Sequence, residues 1–385
     1  MHAGALTMLS LLTLAGCDDS VTTQRLTRSG PIVPAWRSMS AGFTHTLAVK
    51  NNGSLWTWGY NFYGQLGDGT TGDHGYPLPI GASTWTQVAA GGHQSAGIRS
   101  DGSLWTWGFN LNCELGQGTC GTSTSTPGQV NPGSTWKSVT GGANHTLAIA
   151  SNDTLWAWGN NSLGQLGYTG CAGSCLTPTQ VGAGKWLAVS AGYDHTLAIA
   201  ANGTLWAWGG NTYGQVGNSA AGTDQPTPTQ IGGASAWKAV AGGYYHSLAI
   251  RADGTLWAWG YNSSGQLGLG DSLPRAIPVP VGTATDWAAV AGGNSRSVAL
   301  KNDGTRWGWG YNGSGELGAG DTSSSSVPRS ASISANWSRL GTMALAGHGL
   351  AMTSDGSLWT WGYNFYGEVG DGTIANRTVP YQILP

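Results

Sequence analysis

Apolar and polar positions along this chain recur with a period near fifty residues. Each unit opens on a tryptophan, at Trp36, Trp85, Trp136, Trp186, Trp237, Trp287 and Trp337. It then passes through a mostly apolar run, HTLAVK in the first copy, to the string W-x-W-G. The second Trp of that string is Trp58, Trp107, Trp158, Trp208, Trp259, Trp309 and Trp361, at spacings of 49, 51, 50, 51, 50 and 52 residues. The runs HTLAVK and SLWTW are short, rich in aliphatic and aromatic residues, and separated by a turn, so they read as two strands of a hairpin. The turn is Asn52-Gly53, Asp101-Gly102, Asn202-Gly203, Asp253-Gly254, Asp303-Gly304 and Asp355-Gly356. Such pairs predict two-residue loops with both central residues at positive φ. The third unit carries the costlier Asn152-Asp153. No helical period with caps appears in the repeats. Fifty residues hold about four strands of five or six residues with their connections, which is one propeller blade. The expected fold is all-β: a seven-bladed β-propeller of four-stranded antiparallel blades over residues 36–385. An open solenoid has shorter coils and atypical ends, whereas here the first and last units are nearly as regular as the middle ones.

Composition sharpens this picture. Gly is 65 of 385 residues and charged residues are 9 %, against roughly 25 % in ordinary globular chains. The formal charge of -2 excludes a generally basic nucleic-acid binder, which needs clustered Lys and Arg against phosphates. An apolar fraction of 40 % excludes a charge-driven disordered chain. All 21 Trp belong to the repeat, three in each of seven units. Burying one removes about 150–250 Å² from water, on the order of 4–6 kcal/mol gross, so a structural use accounts for them.

The unit G-x-x-H-T-L-A-[IV]-x-x-[ND]-G-[ST]-L-W-x-W-G-x-N-x-x-G-Q-L-G resembles the regulator of chromosome condensation repeat. It reads GFTHTLAVKNNGSLWTWGYNFYGQLG at residues 42–67 and GYDHTLAIAANGTLWAWGGNTYGQVG at 192–217. The resemblance extends over residues 36–385 and implies a seven-bladed propeller used as a protein-binding scaffold. A light-sensing branch of the family carries its working tryptophans in a G-W-R-H-T motif. Here that Trp position holds Phe43, Gly92, Ala143, Tyr193, Tyr244, Asn294 and Ala346, so light sensing is not expected.

The chain opens MHAGALTMLSLLTLAGC. The apolar run from Ala5 to Leu14 is too short for a membrane span of roughly 20 residues and fits a secretory core region, although no Lys or Arg precedes it. Leu14-Ala15-Gly16-Cys17 resembles a bacterial lipobox, with Cys17 as the lipidated residue. Residues 1–17 are therefore expected to be a lipoprotein-type signal segment and 18–35 a polar tether. On this reading the protein is exported and meets the membrane of the cell envelope only through its lipid anchor. The other cysteines form local pairs, Cys113 with Cys120 and Cys171 with Cys175. In an exported protein such pairs read as disulfides stapling surface loops. A four-Cys zinc site and free thiols are the competing readings, and the spacings match zinc ligands poorly.

His45, His145, His195, His246 and His348 share one repeat position, with Gln94 and Arg296 in the other two units. A metal ring could not tolerate Arg, so each imidazole is expected to bond backbone between blades. Glu114, Glu316 and Glu368 share a slot that is Gln65, Gln165, Gln215 and Gln266 elsewhere, which makes carboxylate catalysis there unnecessary. No nucleophile elbow, zinc helix or P-loop is present, and the LGDGT and VGDGT loops lack the oxygen ligands of an EF-hand. No enzyme activity, cofactor or bound metal is expected.

Recognition must then lie in residues that vary between units. After W-G the chain carries Tyr60, Phe62 and Tyr63 in unit one, Phe109 in two, Tyr261 in five, Tyr311 in six, and Tyr363, Phe365 and Tyr366 in seven. Closure makes units seven and one neighbours, so their shared Y-N-F-Y is expected to form one aromatic patch of the kind that enriches binding hot spots. Packing of loop against loop is the alternative use of these rings. Unit six is the odd blade, with Arg296 in the His slot, a further candidate for the binding face, and Arg306 replacing the usual Leu; unit seven inserts two residues before His348 and lacks the Gly three positions earlier. The expected function is a monomeric, non-enzymatic exported scaffold recognising a protein or an envelope polysaccharide. Guanine-nucleotide exchange, enzyme inhibition and carbohydrate binding are the alternatives that the resemblance and the loops leave open.

Overall fold

Hydrogen bonding sorts the chain into seven sheets, each of four antiparallel strands taken in order from one repeat. The computed structural model describes residues 36–233 and 236–384. Cys17, the expected signal segment and the tether lie outside the described residues. Blade one consists of β1 (Trp36–Ala41), β2 (His45–Lys50), β3 (Leu55–Gly59) and β4 (His74–Ile80), and the other six repeat this plan. The first strands of neighbouring blades pack on one another, as β1 does on Trp85–Ala90, so they form the inner ring.

Position in the blade explains each strand's composition. β2 is covered on both faces by adjacent blades and is buried almost throughout, so it reads as a near-continuous apolar run rather than an alternating one. The fourth strand is the outer edge, half exposed in every blade. It carries Pro77, Pro127, Pro178, Pro228, Pro278, Pro328 and Pro380 at one position. Proline has no N–H to offer, which suits an edge and blunts it against further pairing.

The hairpin between β2 and β3 differs from the expected two-residue loop. The Gly53 N–H donates to the Lys50 carbonyl at 2.9 Å and the Lys50 N–H to that of Ser54 at 2.9 Å. Gly53 is left-handed, at φ 86°, and Asn52 is not. This is a longer connection closed by a left-handed residue, the bulged class of hairpin. Asn52 keeps its right-handed backbone because its side chain works as a cap, accepting from the Ser54 N–H (3.0 Å) and hydroxyl (2.8 Å). In the third unit Asp153 takes the left-handed position at φ 67°.

The blades are joined by one recurring bond set. The Trp58 indole N–H donates to the Glu368 carbonyl at 2.8 Å, and the equivalent indoles of Trp107, Trp158, Trp208, Trp259, Trp309 and Trp361 each reach the preceding blade in the same way. All seven rings are fully buried. In six blades a hydroxyl bonds the same carbonyl as the indole, as Thr46 and Ser95 do. The histidine slot runs the other way, into the next blade. His45, His195, His246 and His348 bond the Ser95, Ser247, Ser297 and Thr46 hydroxyls at 2.7–3.0 Å, and His145 reaches Thr196 at 3.4 Å. The partner is thus a side-chain hydroxyl, not the expected backbone. Since that hydroxyl spends its proton on a carbonyl, Nε2 is the imidazole donor. Gln94 and Arg296 do meet backbone, at the carbonyls of Gly142 and His145 and of Ala346 and His348.

Closure uses this same set, because no sheet mixes strands from the two ends of the chain. Blade seven meets blade one through Trp58, Thr46 and His348, and the Ala41 N–H donates to the Thr342 carbonyl at 2.9 Å. The cysteines pair as Cys113–Cys120 and Cys171–Cys175, the disulfide alternative; the first pair lies inside the loop before a fourth strand, and the second ties such a loop to Cys175 at the start of the strand itself.

Trp58→Phe at the closing seam and Trp208→Phe at an interior seam should each cost about 2–3 kcal/mol, from one lost hydrogen bond and a small cavity. Equal shifts in urea unfolding check that the seams are equivalent. Burial holds the His145 imidazole down at about 3, against about 6.5 in an unfolded chain. The unfolded state therefore binds the extra proton first, and this contribution to stability is complete above about pH 6.5 and lost as the pH falls toward 3. In His145→Gln the loss of unfolding free energy between about pH 8 and pH 5 should shrink by about 2 kcal/mol relative to the parent, measured by denaturant titration at both pH values.

Candidate functional site

In every blade the connection between the first two strands and the connection after W-G emerge on one rim. Residues 42–44 and 60–73 are the pair in blade one. The Gln or Glu slot shapes the second connection by accepting the backbone N–H two residues earlier. Gln65 accepts from Tyr63 at 3.0 Å, Glu114 from Asn112 at 2.9 Å, and Glu368 from Tyr366 at 2.8 Å. Amide and carboxyl therefore do one structural task. Desolvation pushes the Glu114 and Glu368 carboxyls up to about 7.

On that rim the aromatic residues of units seven, one and two meet. Tyr366 lies 4.6 Å from Tyr60, Phe365 5.0 Å from Tyr366, Phe62 5.1 Å from Tyr63, and Tyr63 4.7 Å from Phe109. The expected Y-N-F-Y patch is thus assembled by closure, with Tyr363 at its margin 6.5 Å from Phe365. Phe62 and Phe365 stand 63 % and 58 % exposed, so their faces are available rather than spent on loop packing. Tyr261 belongs to a second group, 4.6 Å from Tyr213, which lies 5.2 Å from Tyr245.

A bridge that the sequence analysis did not single out joins the two groups. Phe43 lies 5.3 Å from His93 on one side and 6.3 Å from both Tyr193 and Tyr244 on the other. Tyr193 and Tyr244 stack at 4.1 Å. Blade one therefore touches blades four and five, and these rings meet above the inner ring of strands. The signal was present, since Phe43, Tyr193 and Tyr244 share one slot in the connection between the first and second strands. Burial among the rings pushes the Tyr245 phenol up to about 12 and holds the His93 imidazole down at about 4.

Beside this band, bordered by blades one, five, six and seven, is a cleft of about 610 Å³ walled by Phe43, Tyr311, Tyr363, Asn294 and Leu345, with Arg296 and Glu316 also lining it. Tyr311, half exposed, stands here rather than in the aromatic band. Arg296 is not an exposed contact. It is 1 % exposed and spends its guanidinium on the Ala346 and His348 carbonyls at 2.6 Å. Blade seven explains this, because Gly349 supplies no hydroxyl for the slot. Arg306 is internal as well, donating to the Leu317 and Gly318 carbonyls and lying 4.2 Å over the Trp361 ring. Burial lowers the two guanidinium groups to about 10 and about 9. The two-residue insertion in unit seven has a steric cause. Elsewhere a glycine packs under the histidine, and a Cβ on Gly142 would lie 2.1 Å from the His145 ring. Unit seven has Leu345 there, and its longer loop carries that side chain into the cleft wall.

Rings, phenol hydroxyls and amides arranged around a concave surface suit non-covalent recognition. Among the described residues no group of three His, Cys, Asp or Glu side chains is placed to hold a metal.

Comparison with known proteins agrees with this architecture. The RCC1-like domain family matches residues 75–384, and the regulator of chromosome condensation repeat matches residues 36–65. The ultraviolet-B receptor UVR8 of Arabidopsis thaliana is 28 % identical over 349 residues, which are 90 % of this chain and 57 % of that protein. The chain thus spans little more than half of that relative's length. Among solved structures, human WBSCR16 superposes with a TM-score of 0.77 at 23 % identity, covering 86 % of this chain and 95 % of that one. Prp20p of Saccharomyces cerevisiae superposes at 0.78 with 21 % identity, covering 88 % of each chain. With seven repeats, seven blades and a family match over most of its length, the chain belongs to the RCC1-like domain family.

Proposed function

We propose that this protein is a non-enzymatic scaffold that binds another protein through the rim carrying the aromatic band. The observation that carries this reading is the band itself: contiguous rings contributed by blades one, two, four, five and seven, with Phe62 and Phe365 largely in solvent. Large rigid side chains of this kind supply binding area at low rotamer cost. The yeast relative is described by its binding to Gsp1p and histones, which supports a protein partner in general terms. The paired cysteines support an oxidising compartment, and with Cys17 as the lipid anchor they favour an exported, envelope-attached protein acting as a monomer. A second reading, a polysaccharide ligand, is favoured by the cleft, where Tyr311 and Tyr363 stand among Asn294 and Ser295.

Phe62→Asp/Phe365→Asp should cut capture of the partner from envelope extract by about tenfold or more, as expected for a hot-spot pair, with the melting temperature almost unchanged. Unchanged capture by the double variant would reject the band as the contact surface. Tyr311→Ala paired with a glycan array separates the polysaccharide reading, since that variant should lose sugar binding and keep the protein partner. Cys17→Ser should abolish incorporation of labelled palmitate and release the protein from the membrane fraction.

A further inference from the structure

The chain covers its own aromatic clefts in some blades and leaves them open in others. On the rim opposite the aromatic band, the opening Trp of a blade meets the first Trp of W-x-W-G edge-on. Their ring centres are 6.0–6.4 Å apart in blades one, three, four, five, six and seven. The last residue of the second strand stands beside this pair. In blades one, two, five and six it is Lys50, Arg99, Arg251 and Lys301. Lys50 lies 3.9 Å over Trp56, Arg99 3.5 Å over Trp105, and Arg251 3.7 Å over Trp257, while Lys301 stands 5.1 and 5.2 Å from Trp287 and Trp307. Blade seven replaces the cation with Thr353, whose hydroxyl meets the Trp359 indole at 3.4 Å.

Blades three and four have Ala150 and Ala200 at this position. Their tryptophan pairs, Trp136 with Trp156 and Trp186 with Trp206, keep the edge-on geometry at 6.2 Å. Among the described residues no cation lies over either pair. A cleft of about 230 Å³ borders Trp136, Ala150 and Trp156, and one of about 720 Å³ borders Trp186, Ala200 and Trp206. Lys185 also lines the larger cleft, but its ammonium is held by the Asn152 carbonyl of blade three, beside Asp153.

We propose that each of these two clefts binds the guanidinium of an arginine side chain presented by a partner polypeptide. The indole faces are the electronegative surface that attracts a cation, and four sister blades show that a cation seats on the same pair. Among those internal cations the guanidinium groups come closest, because a flat ion stacks on a ring as an ammonium does not. The site is distinct from the aromatic band, so either can fail without the other.

The test uses the full chain labelled with fluorotryptophan and observed by fluorine NMR, with Trp156 and Trp206 assigned through Trp156→Phe and Trp206→Phe. Titration with millimolar acetylarginine amide should shift the Trp156 and Trp206 signals saturably and leave Trp105 and Trp257, already covered by Arg99 and Arg251, unmoved. Acetylcitrulline amide, equally flat but neutral, should bind about fivefold more weakly. Ala150→Arg/Ala200→Arg, which installs the side chains that blades two and five already accommodate, should remove the shifts without unfolding the protein. Equal binding of the citrulline compound, shifts at all four tryptophans alike, or shifts that survive in the double variant would overturn the proposal. Free arginine binding several-fold tighter than the blocked compound would also overturn it, by pointing to an amino-acid site instead of a polypeptide side chain.

Discussion

One backbone carbonyl per blade organises the molecule. It belongs to the Gln or Glu residue after W-G, and in every seam it receives the fully buried indole N–H of the following blade. A carbonyl in that dry setting costs free energy unless it is bonded, and only a neighbouring blade in register supplies the donor. The constraint therefore fixes blade against blade, and its repetition around the ring is what closes the ring. The same residue's side chain shapes the loop on the rim that carries the aromatic band. The seam and the shape of that loop thus share one position, and Gln and Glu serve it equally.

The histidine slot shows how far that ring can be varied. Imidazole, amide and guanidinium all occupy it, each finding a partner in the next blade. Buried neutral histidines carry a cost at low pH, since the unfolded chain takes up the protons first. Arg296 sits where Gly349 has removed the usual hydroxyl partner, and it reaches two carbonyls instead. Unit six is therefore unusual for a packing reason inherited from unit seven. Leu345, on the longer loop of unit seven, lines the cleft beside it.

The two rims use aromatic residues in opposite ways. On one, variable loops gather Tyr and Phe into a band that no single repeat contains. On the other, invariant Trp pairs are mostly covered by the chain's own Lys and Arg, and blades three and four omit that cover. A toroid can hold both surfaces because each of its seams is fixed by buried indole and hydroxyl bonds between the two rims.

Seven blades, four strands in each, the strand order and the positions of the turns were legible in the sequence because each rests on chemistry local to one repeat and repeated seven times. Two local disulfides were one reading of the cysteine spacing, beside zinc and free thiols, and only the structure decided that Cys113 pairs with Cys120 and Cys171 with Cys175. The hairpin class was misjudged, because Asn-Gly alone does not say that Asn52 will cap with its side chain and leave only Gly53 left-handed. The junction of units seven and one could be anticipated once closure was assumed. What only the tertiary structure decided was which distant residues share a neighbourhood. Phe43 meets Tyr193 and Tyr244 because three blades converge on one axis, and Arg296 is buried because Gly349 leaves it carbonyls to bond. Such contacts depend on the angle and radius at which the blades close, and no pattern within fifty residues encodes those quantities.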